Sequence, residues 1–309
     1  MRRVRVGVVG CGWFGNAHAR VFREVSGADL IAVADINPSA ARSLAEKYNV
    51  EAYTDVEKMI RKENLDAVSI AVTPQYLTET AIVAMDSGAA VLLEKPLATS
   101  RQELSKLISK VESTGSIFMP GFIELFNPAV RALKERIQKE ELGEPLVLSS
   151  ERIGRVPKRN LKWNIGVSLD LAIHELYVQM WLLEDRPQSR AYVSNKSSDR
   201  YEDLVVLLLN FKKGAASGII VSNWLTPIGV RRMRFTGSYG SAVLDYLNQQ
   251  LILDKHEGTF IPPVRRKEPL LEELQTFVDF VSVGKDPQIN ASFAKDVLET
   301  LFDGLENKL

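Results

Sequence analysis

The sequence predicts two α/β domains: a doubly wound parallel sheet first, then an antiparallel or mixed sheet with helices packed on it. Three observations predict this. Apolar strands alternate with helices up to about Pro120, the pattern of a parallel sheet covered on both faces. A glycine turn, Gly10-Cys11-Gly12-Trp13-Phe14-Gly15, joins the first strand to the first helix. From Arg190 to Asp254 the chain changes to strands and tight turns. A length of 309 residues suits two domains, and the expected division is 1–120 and 121–309.

The elements follow in order. Val4 to Val9 reads as a strand, and the glycine turn leads into a helix over Asn16 to Val25. Leu30 to Ala34 is a second strand ending at Asp35. Asn37-Pro38 opens a helix to about Tyr48, since proline suits a first helical turn. Asp66 to Val72 and Ala90 to Leu93 read as buried strands, with helices near Gln75–Ser87 and Arg101–Thr114. In the second half, Asn127-Pro128 starts a helix to about Glu140, and Leu146 to Ile153 is a strand. Val167 to Leu183 reads as one helix. Strands are expected at Arg190–Ser194, Leu204–Phe211, Ala215–Asn223, Met233–Thr236, Ala242–Asp245 and Gln250–Leu253. Lys212-Lys213-Gly214 and Gly237-Ser238-Tyr239-Gly240 read as hairpin turns. Glu257 to Glu268 reads as a loop, and helices return at Leu270–Val283 and Ser292–Leu305.

Leu204 to Leu209 is apolar without alternation. Such a run expects cover on both faces of its sheet. Helices would cover one face, and either a second subunit or the chain's own loops the other. Sheet-sized apolar patches are rare on monomers, so a homodimer or homotetramer is the expectation.

Composition excludes several classes. Lys plus Arg equals Asp plus Glu at 39 each, which gives no electrostatic reason to expect nucleic acid or an anionic membrane. No apolar run is long enough to span a bilayer. The single cysteine, Cys11, cannot form an internal disulfide, which fits a reducing cytoplasm. Arg2, Arg3 and Arg5 before an apolar stretch, with Ala17-His18-Ala19 beyond, outline a secretory leader. A nucleotide-binding strand, turn and helix accounts better for the same residues. There is no His-Glu-x-x-His and no cysteine cluster, so no metal site is expected.

The glycine pattern gains weight from its context. In Gly10, Gly12 and Gly15 the first glycine turns the chain. The second lets a pyrophosphate approach the backbone, and the third lets helix and strand pack closely. Trp13 and Phe14 complete the turn, whose helix N-terminus offers free N–H groups to phosphate. Asp35 lies twenty positions beyond Gly15, where a carboxylate accepts both ribose hydroxyls and repels a 2′-phosphate. NAD is therefore expected over NADP.

Two more constellations carry charge. Glu94-Lys95-Pro96 follows a buried strand whose carboxyl end should face the ligand crevice. Asp170 and His174 are spaced i, i+4 in an apolar helix. They read either as a satisfied core pair or as site residues. His18 reads as packing, and His256 lies in a polar loop.

The glycine turn, Asp35, Thr73-Pro74, Glu94-Lys95-Pro96 and Asp170 with His174 together resemble the Gfo/Idh/MocA oxidoreductase family. The resemblance covers nearly the whole chain. It implies a Rossmann domain followed by an α/β domain with a large, mostly antiparallel open sheet, through which members commonly associate. It implies hydride transfer between a sugar or polyol and NAD or NADP. Thr73, Pro74, Glu94 and Lys95 would then join the glycine turn and Asp35 around the cofactor, and Lys95, Asp170 and His174 would be catalytic. His174 would take the hydroxyl proton, Lys95 would hydrogen-bond the oxygen, and Asp170 would orient His174 or hold a sugar hydroxyl. The first two roles are exchangeable, since a desolvated lysine also serves as base.

Within the family, Gly121 to Pro128, Asn164 to His174, Asn223 to Pro227 and Asp245 to Leu247 are similar to a sugar-nucleotide subgroup. That likeness implies UDP-N-acetylglucosamine oxidised at position 3, with Glu124 and Asn127 on the substrate. Arg152 and Arg155, with Lys158 and Arg159, read either as donors to the diphosphate or as a solvated loop. Three departures from the pattern stand out: Leu125 for arginine, Glu175-Leu176-Tyr177 for Asp-Ile-Asp, and Thr78 for histidine. Another polyol dehydrogenase, or a nicotinamide-binding regulator without activity, remain the rival readings.

Overall fold

The computed structural model describes residues 2–154, 164–196, 201–212 and 216–307. The described chain divides into two compact units. The first contains Met1–Gly121 and Leu270–Lys295, the second Phe122–Pro269 and Asp296–Leu309.

The first unit is a doubly wound α/β domain. Its strands are β1 (Val4–Val9), β2 (Ala28–Ala34), β3 (Glu51–Tyr53), β4 (Ala67–Ile70), β5 (Ala90–Glu94) and β6 (Phe118–Gly121). They pair in parallel in the order β3-β2-β1-β4-β5-β6. The order reverses beside β1, so the carboxyl ends of β1 and β4 open a crevice. β4 and β5 are buried throughout. This is the continuous burial that helices on both faces produce. The helices are α1 (Trp13–Phe22), α2 (Pro38–Tyr48), α3 (Val56–Glu63), α4 (Leu77–Asp86) and α5 (Arg101–Thr114). Asn37, Asp55 and Ser100 cap α2, α3 and α5 by accepting backbone N–H groups. The sequence reading omits β3, α3 and β6. β3 has only three residues, two of them exposed, and α3 is an eight-residue helix whose apolar stripe is limited to Val56, Met59 and Ile60, so both are short.

The second unit pairs its strands in the order β14-β13-β12-β11-β7-β10-β9-β8. These are β7 (Pro145–Ile153), β8 (Gln188–Ser194), β9 (Leu204–Asn210), β10 (Ser217–Asn223), β11 (Val230–Gly237), β12 (Gly240–Asp245), β13 (Gln250–Lys255) and β14 (Gly258–Phe260). Every pairing is antiparallel except β7 with β10. The helices of this unit are α6 (Pro128–Gln138), α7 (Ile173–Leu183) and, from Asp296 onward, α9 (Ala291–Glu306). The Lys134 ammonium donates to the carbonyls of Trp181 and Leu182 at 2.8 and 3.0 Å, closing the end of α7.

Three differences from expectation have physical causes. First, α8 (Pro269–Val283) belongs mainly to the first unit. Its stripe buries Leu270, Leu274, Phe277 and Val278, and Gln275 bonds both backbone groups of Ser26. Periodicity identifies such a helix without saying which sheet it covers. Second, a π-helical turn over Ser168–Ala172 precedes α7, so Asp170 and His174 sit on different helical geometries. Third, β14 lies inside the stretch read as a loop. The Lys212-Lys213-Gly214 turn falls partly outside the described residues; on either side of it the Phe211 N–H donates to the Ala216 carbonyl at 3.0 Å.

The apolar run in β9 alternates in burial after all. Val205, Leu207 and Leu209 are buried, while Leu204, Val206 and Leu208 lie on the opposite face, half-buried or exposed. That face continues through Tyr192 on β8, Ile219 and Val221 on β10, and Val147 on β7.

Candidate active site

In the first unit the expected cofactor residues gather at the carboxyl ends of β1, β2, β4 and β5. Gly10 has φ +93°, and an added Cβ would stand 2.5 Å from the Ala71 carbonyl oxygen. A Cβ on Gly15 would overlap the Gly10 carbonyl oxygen, so helix and strand meet backbone to backbone. At Gly12 a Cβ would meet nothing within 4 Å. That open space is where a pyrophosphate must approach, in front of the N-terminal N–H groups of α1. Trp13, exposed, stacks on Phe14 with centroids 5.5 Å apart. The Asp35 carboxylate accepts the Cys11 amide at 2.7 Å and the Asn37 amide at 2.8 Å. Two backbone donors fix its direction while its remaining lone pairs can take ribose hydroxyls. Beside it Ile36 is exposed. These residues fit a dinucleotide.

Burial, then the Asp35 charge, push the Cys11 thiol up to about 12. Cys11 is thus no thiolate nucleophile near neutral pH. Thr73 precedes a single turn over Pro74–Tyr76 at the end of β4. Glu94 ends β5 and is buried. A Cβ on Gly121 would stand 2.7 Å from its Oε1, so this glycine makes room for the carboxylate. His18 Nε2 lies 3.2 Å from the same oxygen, and His18 Nδ1 pairs with Ser69 Oγ at 2.7 Å. His18 is thus a buried residue held by Ser69 and packed against Glu94, without a hydrogen bond between Nε2 and Oε1. Lys95 follows, half-buried, before Pro96.

The second unit holds a polar network of its own, drawn from segments far apart in sequence. Arg152, 2% exposed, donates Nε to Glu175 Oε1 and Nη2 to Glu124 Oε1, both at 2.7 Å. Burial alone would lower the Arg152 pKa; Glu124 and Glu175 outweigh it and raise it. Burial raises the Glu175 pKa, against the pull of Arg152 and of the hydroxyl of Tyr246. That hydroxyl donates to Glu175 Oε2 at 2.7 Å, and its own pKa is driven well up by burial and by Glu175. Asn127 donates to Glu124 Oε2 at 3.2 Å and to the Tyr246 carbonyl at 3.1 Å, while its own oxygen caps α6. His174 Nδ1 pairs with the Tyr177 hydroxyl at 2.7 Å, and that oxygen accepts the Glu124 amide at 3.1 Å. Tyr177 stacks on Phe122. Asp170 Oδ2 accepts the Trp224 indole N–H at 3.3 Å.

Glu124, Asn127, Arg152, Asp170 and His174 thus share one polar region of the second unit. Arg152 departs from its expected place: its guanidinium is a buried bridge between two carboxylates rather than a solvent-facing donor. Arg155, Lys158 and Arg159 lie outside the described residues. Sequence reasoning missed Glu175, Tyr177 and Tyr246 as functional neighbours. The departure of Glu175-Leu176-Tyr177 from the family pattern was the signal that could have found the first two. Among the described residues, no group of three or more His, Cys, Asp or Glu is placed to hold a metal ion.

A dinucleotide cradle at the switch point of a doubly wound sheet, followed by a unit with a buried Asp and His, defines an NAD-binding oxidoreductase of two-domain plan. Comparison with known proteins specifies it further. A model described as "Oxidoreductase family, NAD-binding Rossmann fold" matches residues 4–122, and the Gfo/Idh/MocA C-terminal domain matches residues 130–243. The chain belongs to the Gfo/Idh/MocA oxidoreductase family. Its dehydrogenase relatives act on CH–OH groups. It is 26% identical to the myo-inositol 2-dehydrogenase of Thermotoga maritima, over 96% of this chain and 93% of that one. It is 27% identical to the UDP-N-acetylglucosamine 3-dehydrogenase of Acidithiobacillus ferrooxidans, over 91% and 90%. A solved structure of the latter enzyme superposes with TM-score 0.89 at 23% identity, covering 100% of this chain and 98% of that one. An oxidoreductase from Agrobacterium radiobacter, solved with NAD+, L-tartaric acid and magnesium, gives 0.90 at 19% identity, covering 99% and 96%. No helix among the described residues is long and apolar enough to cross a membrane.

Proposed function

We propose that the protein is an NAD-dependent dehydrogenase that oxidises the 3-hydroxyl of UDP-N-acetylglucosamine to a ketone. One observation carries this reading beyond the family. Glu124, Asn127, Asp170, His174, Trp224 and Tyr246, drawn from the four segments that resemble the sugar-nucleotide subgroup, join one polar region of the second unit. NAD, when bound, supplies the acceptor for the hydride. His174 takes the hydroxyl proton, its ring aimed by the Tyr177 hydroxyl on Nδ1. Lys95 donates a hydrogen bond to the oxygen under oxidation and stabilises its developing charge. Asp170, anchored by Trp224, holds a neighbouring sugar hydroxyl. Glu124 and Asn127 line the sugar's surroundings.

The test uses protein, NAD and either UDP-N-acetylglucosamine, free N-acetylglucosamine or myo-inositol, with NADH followed near 340 nm. A carbonyl trap draws an uphill reaction forward. Turnover of the nucleotide sugar alone is expected. Turnover of inositol alone would assign the second reading, an inositol-type dehydrogenase, which two relatives at 26% and 29% identity favour. Bound NAD with no turnover of any sugar or polyol would point to a regulator.

The half-exposed apolar face of the second sheet pairs, in this reading, with a second copy of the chain, giving a dimer or tetramer. Leu208→Asp, on that face, is expected to lower the mass seen by light scattering. The single cysteine suits work in a reducing cytoplasm.

A further inference from the structure

β11 carries Arg231, Arg232 and Arg234. Strand alternation sends them two ways. Arg232 and Arg234 lie on the open face, where Arg232 pairs with Asp245 at 3.2 Å. Arg231 shares its face with the buried Met233 and Phe235. In the ladder it stands directly opposite Arg152 on β7. Like charges placed opposite each other in an antiparallel pair are unfavourable, so the arrangement calls for compensation.

The two arginines are compensated unequally. Arg152 holds two carboxylates. The Arg231 side chain is exposed and makes no hydrogen bond and no ion pair with any described residue, while its backbone carbonyl accepts the Tyr246 amide at 3.2 Å. It lies within electrostatic reach of Arg152, Glu124, Glu175 and Asp170. Those carboxylates are already engaged. Arg152 and Asn127 take the oxygens of Glu124; Arg152 and Tyr246 take those of Glu175; Trp224 takes Oδ2 of Asp170. A guanidinium has five N–H donors in a planar fork that matches a phosphate or carboxylate.

We propose that Arg231 is the anion-binding residue of the substrate site, receiving a phosphate or carboxylate of an anionic sugar derivative. This rests on the assignment of Asp170 and His174 to the substrate side. It gives Arg231 the role that Arg152, closed inside its carboxylate pair, does not fill. The common chemistry is a two-oxygen anion on the fork; a nucleotide diphosphate or a uronate carboxylate would supply it.

The experiment is calorimetric titration of NAD-saturated protein with UDP, with glucuronate and with neutral N-acetylglucosamine. Saturating NAD keeps UDP off the dinucleotide cradle. We expect one of the two anions to bind. Its affinity should fall about 10- to 100-fold in Arg231→Gln, the loss typical of a charge-assisted contact, and less in Arg231→Lys. NAD affinity should hold in both variants, and the thermal midpoint should hold in Arg231→Lys and hold or rise in Arg231→Gln, which removes a like charge from opposite Arg152. Binding by UDP identifies the diphosphate as the source, and binding by glucuronate the carboxylate. Equal anion affinity in wild type and Arg231→Gln overturns the proposal, as does a wild type that binds neither anion. If UDP-N-acetylglucosamine turns over while Arg231→Gln changes neither its KM nor UDP binding, this inference falls and the dehydrogenase reading stands. If inositol alone turns over and no anion binds, both the sugar-nucleotide reading and this inference fall.

Discussion

In the first unit, the Asp35 carboxylate is held by the amides of Cys11 and Asn37. In the second, Arg152 is held by the side chains of Glu124 and Glu175, and Tyr246 closes the group from 71 residues beyond Glu175. The difference is between backbone and side-chain construction. Backbone donors come with the turn itself and survive most substitutions nearby. A side-chain network is only as stable as its least replaceable member, and every partner left behind becomes a buried, unpaired charge.

The largest expected effects are catalytic and fall on both units alike. Lys95→Ala and His174→Ala should each lower turnover by about two to four orders of magnitude, the range for losing an acid–base or charge-stabilising group. NAD affinity, measured by titration, should survive in the His174 variant. Near-wild-type turnover in His174→Ala would make that pair a core feature and remove the mechanism. Tyr177→Phe separates positioning from packing, because phenylalanine keeps the stack on Phe122 and loses only the hydroxyl. A drop of about tenfold in kcat, with KM little changed, is expected if the bond to Nδ1 aims the ring.

Arg152 breaks the comparison from the structural side. Arg152→Met leaves Glu124 and Glu175 without their cation, and breaking a buried pair costs about 3–5 kcal/mol. The thermal midpoint should fall by several degrees or the protein should fail to accumulate. Arg152→Met combined with Glu175→Gln should recover part of the loss, since one stranded charge is gone. A single variant as stable as wild type would mean that the pair contributes nothing.

These contrasts also explain what was legible in the sequence. The glycine turn, Asp35 and Glu94-Lys95-Pro96 are local motifs, so each could be read with its strand and helix. Asp170 and His174 were visible as polar residues in an apolar helix. The Arg152 bridge was not visible. Its partners lie 28 positions before it and 23 after it, on other elements, and a burial pattern cannot pair them. Read alone, Arg152 looked like one of a run of surface cations. Arg231 was hidden for a related reason: strand parity decides its direction, and the predicted strand began two residues later, at Met233.

Asp35 gives a smaller, sharper test of the backbone-held unit. Wild type should bind NAD more tightly than NADP, because the carboxylate faces the position of a 2′-phosphate. Asp35→Ser should narrow that preference by about tenfold, equivalent to about 1.4 kcal/mol. The fold should not suffer, since the amides of Cys11 and Asn37 can turn to serine or solvent. A wild type that prefers NADP tenfold would refute the assignment.

The smallest effect concerns pH and the side-chain network. Burial raises the folded-state pKa of Glu175 above its unfolded value of about 4.3. A raised carboxyl binds its proton more tightly in the folded protein. The associated stability is fully present below the unfolded pKa and is lost as pH rises through the folded one. Glu175→Gln keeps an amide oxygen for the Arg152 Nε donor and removes the titration. The Tyr246 hydroxyl must then turn to accept from the amide nitrogen, which adds a cost that does not vary with pH. Titrating groups remote from Glu175 are common to both proteins and cancel in the difference. Thermal midpoints measured from about pH 4 to pH 8 should therefore shift in favour of the variant as pH rises. The shift should be confined to the window above the unfolded carboxyl value and should level off once Glu175 is ionised in both states. A difference that stays flat across this range, or moves in favour of wild type, would mean that Arg152 fully compensates the buried carboxylate. Glu175 would then be held as firmly by side chains as Asp35 is by backbone.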